Sequence, residues 1–185
     1  MSATGRGTKR NENDFYATPA KVVDQIMQEI DWTEVHSFLE PCRGDGAIYN
    51  KVPERQYCEL MDFSYPPTKP LMFHAELSEG IDYLKHEFNM PHASLILTNP
   101  PFSLAQEFVT KSLKEADCVV YLQRLNWFGS KKRKEFWEKN PVTHLFVLSQ
   151  RPSFTGKGTD ACEYAWFVWD RTGTIMKRPK GIYVL

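Results

Sequence analysis

An alternation of short apolar runs with amphipathic segments extends along nearly the whole chain and most constrains its fold. The runs are rich in β-branched and aromatic residues, as in strands, whereas the amphipathic segments have apolar side chains at helical spacing. The predicted strands read VHSFLEP, QYCELM, LMFHAEL, SLILT, DCVVYLQ, THLFVLS, YAWFVWD and GIYVL. Four helices are predicted. The first has Thr18 as its N-cap and Pro19 as its first residue, and the others read EGIDYLKHEF, SLAQEFVTKSLKEA and SKKRKEFWEKN. This order predicts an α/β fold with a doubly wound, mostly parallel sheet that ends in an antiparallel hairpin.

The length, charge and cysteine content of the chain limit the classes of protein to which it can belong. A chain of 185 residues is expected to form one domain around one core. Its 23 basic and 23 acidic residues balance, so a polyanionic partner would have to be met by a local basic patch. The four cysteines are scattered and lack a histidine at ligand spacing, which argues against a metal site or disulfides and favours a cytoplasmic protein. No apolar run has the length of a membrane span, and residues 1–13 are expected to be a flexible tail.

Two loops follow predicted strands and contain unusual residues. After SLILT the chain reads Asn99-Pro100-Pro101-Phe102, and the two prolines remove two backbone donors and fix two φ angles. After VHSFLEP it reads Gly44-Asp45-Gly46, with no GxGxxG pattern and no phosphate-loop lysine. Each loop alone is compatible with an ordinary turn. Because ligands of such sheets bind beyond the carboxyl ends of the strands, each is also a candidate site.

Taken together, the segments FLEPCRGDG, TNPPF and DFYATP resemble the signature set of S-adenosylmethionine-dependent amino-methyltransferases. The resemblance is greatest to N6-adenine DNA methyltransferases of small phage and prophage type, and Asn-Pro-Pro-Phe is its most specific element. It implies a Rossmann-like methyltransferase fold with a seven-stranded sheet and S-adenosyl-L-methionine as cofactor. Residues 14–185 would then form a single methyltransferase catalytic domain without a separate target-recognition domain.

The resemblance also implies roles for individual residues in cofactor binding. The cofactor loop would comprise Glu40, Pro41, Gly44, Asp45 and Gly46. A carboxylate after the second strand, Glu59 or else Asp62, would accept from the ribose hydroxyls, and Asp82 with Tyr83 would line the adenine pocket. The methionine end would be covered by Phe15, Tyr16 and Thr18. Surface charge, an aromatic staple and helix capping remain the ordinary explanations for these residues.

The same resemblance gives the Asn-Pro-Pro-Phe loop a catalytic role. An exocyclic amine is conjugated with its ring, so its lone pair is poorly available for attack on a methyl group. Asn99 and the Pro100 carbonyl would act as two acceptors that polarise the amine, and Pro101 would keep the loop rigid. Phe102 would stack on the target base, and the asparagine would also border the cofactor.

Two further loops are candidates for nucleic-acid binding. Asn99 follows Gly46 by 53 positions, and the residues between them are needed for the sheet, so base selection would have to come from loops. The basic residues Lys131, Lys132 and Arg133 lie among aromatic residues, and form either a phosphate-and-stacking surface or a solvated helix face above core tryptophans. The second loop contributes Arg151, Phe154 and Lys157.

The expected activity is therefore methyl transfer from S-adenosyl-L-methionine to the N6 amine of adenine in DNA. RNA or another exocyclic amine, including a protein amide, is an alternative substrate. A non-catalytic methyltransferase-like binding module is a different class of answer, against which the intact Asn99 and Phe102 argue. No metal and no membrane association are expected, and the oligomeric state and target sequence stay open.

Overall fold

The computed structural model describes residues 16–53, 71–76, 79–88, 92–154 and 158–185. The helices are α1 (Ala20–Glu29), α2 (Ala105–Glu115) and α3 (Lys134–Lys139). The strands are β1 (Ser37–Glu40), β2 (Leu71–His74), β3 (Ala93–Thr98), β4 (Ala116–Arg124), β5 (His144–Val147), β6 (Tyr164–Asp170) and β7 (Gly181–Val184). None of the described helices is long and apolar enough to cross a membrane.

All seven strands belong to one sheet, in the order β2-β1-β3-β4-β6-β5-β7. β1 pairs in parallel with β2 and β3, and β3 pairs in parallel with β4. β6 is antiparallel to both of its neighbours, β4 and β5, while β7 is parallel to β5. The predicted mostly parallel sheet with an antiparallel C-terminal hairpin is confirmed, and the segment GIYVL forms the strand expected of it.

The helices cover both faces of the sheet because successive strand side chains point to opposite sides. On one face α1 packs through Val23 and Ile26 against strand residues that include Phe38. On the other face α2 packs through Phe108, and α3 through Phe136, against their own set of strand side chains. The central strands β3 and β4 are almost entirely buried, as expected for parallel strands with helices on both sides.

Two predictions about helices were wrong. The described residues 79–88 form turns instead of the α-helix expected for EGIDYLKHEF. Gly80 has a φ of 78°, and the Asp82 side chain accepts a hydrogen bond from the Leu84 backbone N–H at 3.1 Å. A glycine in the left-handed region and a carboxylate that bonds to the nearby backbone both compete with helix formation. The strand predicted for QYCELM lies outside the described residues.

The second correction concerns the start of α1, which begins at Ala20 with Pro19 as its N-cap. No side chain caps this helix, and the Pro19 carbonyl accepts from the backbone N–H groups of Val22 and Val23. The Thr18 hydroxyl therefore does not have the predicted capping role. It is buried and bonded to Asn99 instead, so the residues before α1 are tied to the end of β3.

Candidate active site

Four segments of the chain meet at one edge of the sheet. The parallel strands β1, β3 and β4 end there at Glu40, Thr98 and Arg124. The antiparallel β6 begins at the same edge, where Tyr164 lies opposite Arg124 in the register. The loops that follow β1, β3 and β5 thus lie near the start of α1, as the topology of open α/β sheets requires of a ligand site.

Asn99 is the first residue after β3, and its side chain is oriented by two hydrogen bonds. Its Nδ2 donates to the Tyr16 carbonyl at 3.0 Å and to the Thr18 hydroxyl at 3.1 Å. A carbonyl can only accept, so the amide nitrogen must face it and Oδ1 must point the other way. Oδ1 is buried and has no hydrogen-bond partner among the described residues. A buried acceptor of this kind carries a desolvation cost that a donor on a ligand would remove.

The residues after Asn99 form a rigid connection to α2. Pro100 is buried, and Pro101 has φ −54° and ψ 120°. A 3-10 helical turn, Phe102–Leu104, follows and leads directly into α2, with the Leu104 N–H bonded to the Pro101 carbonyl at 3.0 Å. The backbone from the end of β3 to the start of α2 is therefore short and constrained, and within it the Phe102 ring contacts Tyr16, whose carbonyl holds Asn99.

Four aromatic rings surround this loop, and we call them the edge cluster. Phe102 is stacked on Tyr16, with ring centroids 6.2 Å apart and planes 15° apart. It also contacts Phe154 and Tyr164 at 6.3 Å and 5.6 Å between centroids. Three of the four rings, those of Tyr16, Phe102 and Phe154, are only partly buried. The structure thus brings together residues that the sequence had assigned to the cofactor, to catalysis and to nucleic acid.

The glycine loop after β1 makes a tight turn. Gly44 and Gly46 have φ values of 52° and 80°, in the left-handed region. The Gly46 N–H bonds to the Arg43 carbonyl at 2.9 Å, and Asp45 Oδ1 accepts from the Ala47 N–H at 3.1 Å. A Cβ at Gly46 would lie 2.6 Å from Nδ2 of Asn50. Pro41 at the start of the loop is buried.

Glu40 ends β1 and is only 2% exposed. Burial raises the pKa of its carboxyl well above the usual value, against a hydrogen bond from the Tyr49 backbone and with Asp45 acting in the same direction as burial. Its Oε2 has no hydrogen-bond partner among the described residues. Glu40 and Asn99 therefore lie at the ends of neighbouring strands, at the same edge of the sheet. Each has one side-chain oxygen without a hydrogen-bond partner among the described residues.

A group of carboxylates follows β2, the parallel neighbour of β1. Arg43 Nη1 lies 3.0 Å from Glu76 Oε2, 3.2 Å from Glu79 Oε1 and 3.4 Å from His74 Nε2. One ligand atom from each of these three residues falls within 4.8 Å of the others, a spacing that a metal ion also uses, but the cation observed among them is the guanidinium. The predicted ribose carboxylates Glu59 and Asp62 lie outside the described residues.

Glu76 was not singled out from the sequence, since the ribose carboxylate was expected after the predicted strand QYCELM. In the structure the strand beside β1 is the segment LMFH, and its register places Glu76 two residues beyond its end. The sequence did contain an indication of this position, since LMFHAEL, which includes Glu76, was also predicted to be a strand. What the sequence alone did not provide was the pairing of that strand with β1.

Asp82 and Tyr83 lie in the turn segment 79–88 and have different surroundings. Tyr83 is buried, and its hydroxyl donates to Glu115 at 2.7 Å and bonds with Ser112 at 2.8 Å, both on α2. These contacts anchor the segment to α2 and leave the Tyr83 hydroxyl fully used. The Asp82 carboxylate is partly exposed and pairs with Lys85 at 3.0 Å, which lowers its pKa. Asp82 is the more exposed of the two, with Oδ1 accepting from the Leu84 N–H and Oδ2 paired with Lys85.

The basic segment before α3 is less free than its sequence implied. Arg133 Nε donates to the Trp127 carbonyl at 2.7 Å, while Lys131 and Lys132 are exposed. Trp127 is 6% exposed. The aromatic residues here form a second group, which we call the α3 cluster: Trp127, Phe128, Phe136, Trp137, Phe167 and Trp169. Of the two alternatives for this segment, a solvated helix face above core tryptophans is the one that fits these contacts.

The remaining predicted residues divide between the described structure and the rest of the chain. Arg151 is exposed, and its Nη1 donates to the Ala161 carbonyl at 3.4 Å across the loop between β5 and β6. Phe154 belongs to the same loop and to the edge cluster. Phe15 and Lys157 lie outside the described residues.

Similarity to known proteins is found at the level of structure. No family model and no curated protein sequence matches the chain. A Vibrio vulnificus protein described as a modification subunit of a type I restriction enzyme matches with TM-score 0.62 and 17% identity over 98% of this chain. The match covers 48% of that protein, so the chain spans about half its length.

Two more solved structures have the same fold. A Listeria monocytogenes protein described as a class I S-adenosylmethionine-dependent methyltransferase matches with TM-score 0.58 and 13% identity, over 97% of this chain and 67% of that one. A Pyrococcus horikoshii protein described as an RNA methyltransferase matches with TM-score 0.54 and 15% identity, over 88% and 90%. These likenesses establish a Rossmann-like methyltransferase fold, as the sequence predicted.

Proposed function

We propose that this chain is an S-adenosyl-L-methionine-dependent methyltransferase that acts on the exocyclic N6 amine of adenine in DNA. The observation that carries the proposal is the buried, unpartnered Oδ1 of Asn99, directed away from the two acceptors that hold Nδ2. Such an acceptor fits an N–H donor that arrives with a substrate. An aromatic amine has two N–H groups, and the adjoining Pro100 carbonyl is the second acceptor that could meet it.

The two acceptors would act on the amine itself. A hydrogen bond to each N–H draws the nitrogen toward tetrahedral geometry and makes its lone pair available for attack. Because Asn99 and Pro100 are already fixed by the Tyr16 and Thr18 contacts and by the Pro-Pro backbone, this polarisation needs no reorganisation at the moment of reaction. The amine nitrogen would form a bond to the methyl carbon while the bond between that carbon and the cofactor's sulfur breaks, its electron pair remaining on the sulfur. The surplus proton on the nitrogen would then leave to solvent.

The edge cluster supports a flat aromatic substrate. Phe102 lies beside the asparagine and presents a partly exposed ring, on which a base extruded from a nucleic acid can stack. Phe154 stands 6.3 Å from it in the loop between β5 and β6. The two ring planes are 65° apart, so a base could lie between parallel rings only if Phe154 turned as well as moved outward.

The residues at the end of β1 fit the cofactor. When bound, S-adenosyl-L-methionine supplies a methyl group activated by a positively charged sulfur. Glu40 offers a buried carboxyl with an unpartnered oxygen, and a cationic ligand would stabilise its charged form. Gly44 and Gly46 allow a ligand to approach the backbone, and a Cβ at Gly46 would require the Asn50 side chain to move. We assign Glu76, after β2, as the acceptor for the ribose hydroxyls, with Asp82 bordering the adenine.

DNA contacts would come from loops of a single catalytic domain. Arg151, Phe154 and Lys157 belong to the loop that adjoins the edge cluster in sequence, and Lys131 and Lys132 are exposed cations beyond β4. Phosphate contacts from these residues would supply most of the affinity, and base contacts the selectivity.

The proposal is tested by incubating the protein with labelled S-adenosyl-L-methionine and, in parallel, duplex DNA, single-stranded DNA, RNA and protein. Nucleoside analysis should identify N6-methyladenine from a DNA arm. The Asn99→Ala protein is the matched control and should give about 10²-fold less or lower still.

Other outcomes separate the alternatives. Label in the RNA arm alone would keep the chemistry and change the substrate, and label in protein would favour an amide. Cofactor binding without turnover on any arm would identify a non-catalytic module. Turnover that persists in Asn99→Ala would contradict the assignment of the catalytic residue.

A further inference from the structure

Arg124, the last residue of β4, covers the ring that the proposed function assigns to the target base. Its guanidinium carbon lies 5.0 Å from the Phe102 ring centroid and 5.9 Å from that of Tyr164. Both distances are within the range of a cation–π contact. A planar cation therefore contacts the same ring that a planar base would have to approach.

The guanidinium is held there by a small network. Arg124 Nε donates to the Tyr164 hydroxyl at 3.0 Å, and that hydroxyl donates to Asp160 Oδ2 at 3.0 Å. The direct ion pair between Arg124 Nη2 and Asp160 Oδ2 is long, at 3.8 Å. Among the described residues no atom accepts a hydrogen bond from Nη1 or Nη2. The Arg124 side chain is 38% exposed, so most of its donors remain available to a ligand.

We infer that Arg124 occupies the stacking face of Phe102 in the free protein and transfers to a backbone phosphate of the target nucleotide when the base enters. This inference rests on the proposed function. One face of a ring accommodates one planar group, so a base and the guanidinium compete for it. The nucleotide that displaces the guanidinium also brings the phosphate that suits it, because the planar fork of arginine matches two phosphate oxygens.

The exchange makes binding of the base depend on the phosphate beside it. Without a phosphate, the displaced guanidinium loses its contact with the Phe102 ring and gains no new partner. With one, the weak 3.8 Å pair with Asp160 is replaced by a charge-assisted pair. Arg124 is thus a binding residue that favours a nucleotide within a strand over an isolated nucleoside.

The test compares Arg124→Met with Arg171→Met. Arg171 is the matched control because it lies just after β6, at the opposite edge of the sheet, where its guanidinium bonds to the Ala116 carbonyl and to His92. The substrates are two single-stranded oligonucleotides with one adenine, identical except that one carries a neutral methylphosphonate next to that adenine. Binding is measured by fluorescence anisotropy at several salt concentrations, and turnover by methyl transfer.

We expect Arg124→Met to raise the KM for the ordinary oligonucleotide about tenfold, as for the loss of one charged hydrogen bond, with kcat little changed. The slope of log binding constant against log salt should become shallower by about 0.7, the value for one phosphate on a single strand. The methylphosphonate should weaken binding to the wild-type and Arg171→Met proteins but have no further effect on Arg124→Met. Arg124→Lys should keep the salt slope.

A methylphosphonate penalty that persists in Arg124→Met, or a salt slope equal to that of Arg171→Met, would overturn the inference. Equal thermal unfolding of the two variants excludes a folding defect as the cause. The proposed function fails separately, when wild-type protein binds an oligonucleotide with this pattern but methylates no nucleic acid. If wild-type protein binds neither single-stranded oligonucleotide, the inference about Arg124 is wrong, and the duplex arm of the methylation test decides the proposed function.

Discussion

The edge cluster and the α3 cluster are both groups of aromatic side chains packed against the sheet, yet their surroundings differ. Four of the six rings of the α3 cluster, those of Trp127, Phe136, Phe167 and Trp169, are at most 8% exposed. The other two are more exposed, Phe128 at 38% and Trp137 in part. Trp169 Nε1 is bonded to the Asn140 carbonyl at 2.9 Å, which ties it to the end of α3. The edge cluster instead holds partly exposed rings beside an arginine and the unpartnered oxygen of Asn99.

The difference teaches how to interpret aromatic residues near a basic segment. Trp127 and Trp137 flank four basic residues, a pattern that is typical of a nucleic-acid-binding surface. In this structure both rings pack in or against the hydrophobic core. An unpartnered polar atom does not by itself separate the clusters, since Trp137 Nε1 also lacks a hydrogen-bond partner among the described residues. What distinguishes the edge cluster is its place at the carboxyl ends of β3 and β4, where the unpartnered oxygen of Asn99 lies and where ligands of such sheets bind. Substitutions in each cluster should therefore separate function from stability.

The largest expected effect is that of Asn99→Ala on methyl transfer. Removing one fixed polar group that acts in the transition state costs about 10²-fold or more in rate. Cofactor affinity should stay within a few-fold, because Oδ1 is assigned to the amine. The measurement is kcat together with calorimetry of cofactor binding, and Thr18→Val is the matched variant. It removes only one of the two bonds that orient the amide, so its loss of rate should be smaller.

The comparison of the clusters is tested directly by Phe102→Ala and Phe136→Ala. Loss of Phe102 should lower activity about tenfold or more, since stacking of a base on an aromatic side chain contributes about 1–3 kcal/mol. Phe136→Ala should reduce the free energy of unfolding by about 3 kcal/mol and leave the activity of the folded protein unchanged. Chemical denaturation and turnover are measured on both. Equal losses of activity in the two variants would remove the functional distinction.

A third prediction concerns Gly46 and uses Gly173 as its partner. Both glycines have positive φ, 80° and 74°, so an alanine at either should cost about 1 kcal/mol of stability. Gly173 faces open space, whereas a Cβ at Gly46 meets Asn50 within the loop assigned to the cofactor. Only Gly46→Ala should weaken cofactor binding, by about tenfold or more. Unchanged binding in a folded Gly46→Ala protein would contradict the assignment of the loop.

The pH dependence of stability should report on Glu40. Because burial raises its pKa in the folded state, the folded protein holds this proton more tightly than the unfolded chain does. Stability from this group is therefore present below the usual carboxyl pKa and is lost as the pH rises toward the raised value. Thermal unfolding between about pH 5 and pH 8 should show this decline in the wild-type protein, and a flatter profile in Glu40→Gln. Identical profiles would place the titration elsewhere.

The sequence predicted the sheet well because apolar periodicity reflects burial directly. Every described strand overlaps a predicted run, and only β3 and β4 extend beyond theirs, by one residue at an end. The prolines drew attention to the Asn99 loop, and the resemblance of three segments taken together gave it a role, which stays a prediction. The failures involve contacts between distant residues. Thr18 was assigned to its own helix because its bond with Asn99 joins residues far apart in the chain. Arg124 escaped notice since nothing beside it in sequence shows that Phe102 and Asp160 lie next to its guanidinium.

The smallest expected effects are those of exposed charges, and they sharpen the boundary of the edge cluster. The loop between β5 and β6 contains Phe154 of that cluster as well as Arg151 and Lys157. Reversing both charges to glutamate should weaken DNA binding and make its salt dependence shallower by about 0.9 for each phosphate that the loop no longer neutralises. The matched reversal is Arg6→Glu with Lys9→Glu, which should have less effect because no assigned site residue adjoins these positions. Titration of one duplex at several salt concentrations measures both. If reversal of Arg6 and Lys9 has the larger effect, the main phosphate contacts are made near the beginning of the chain and not by the β5–β6 loop. The edge cluster would then bind the base, but the loop beside it would not position the nucleic-acid backbone.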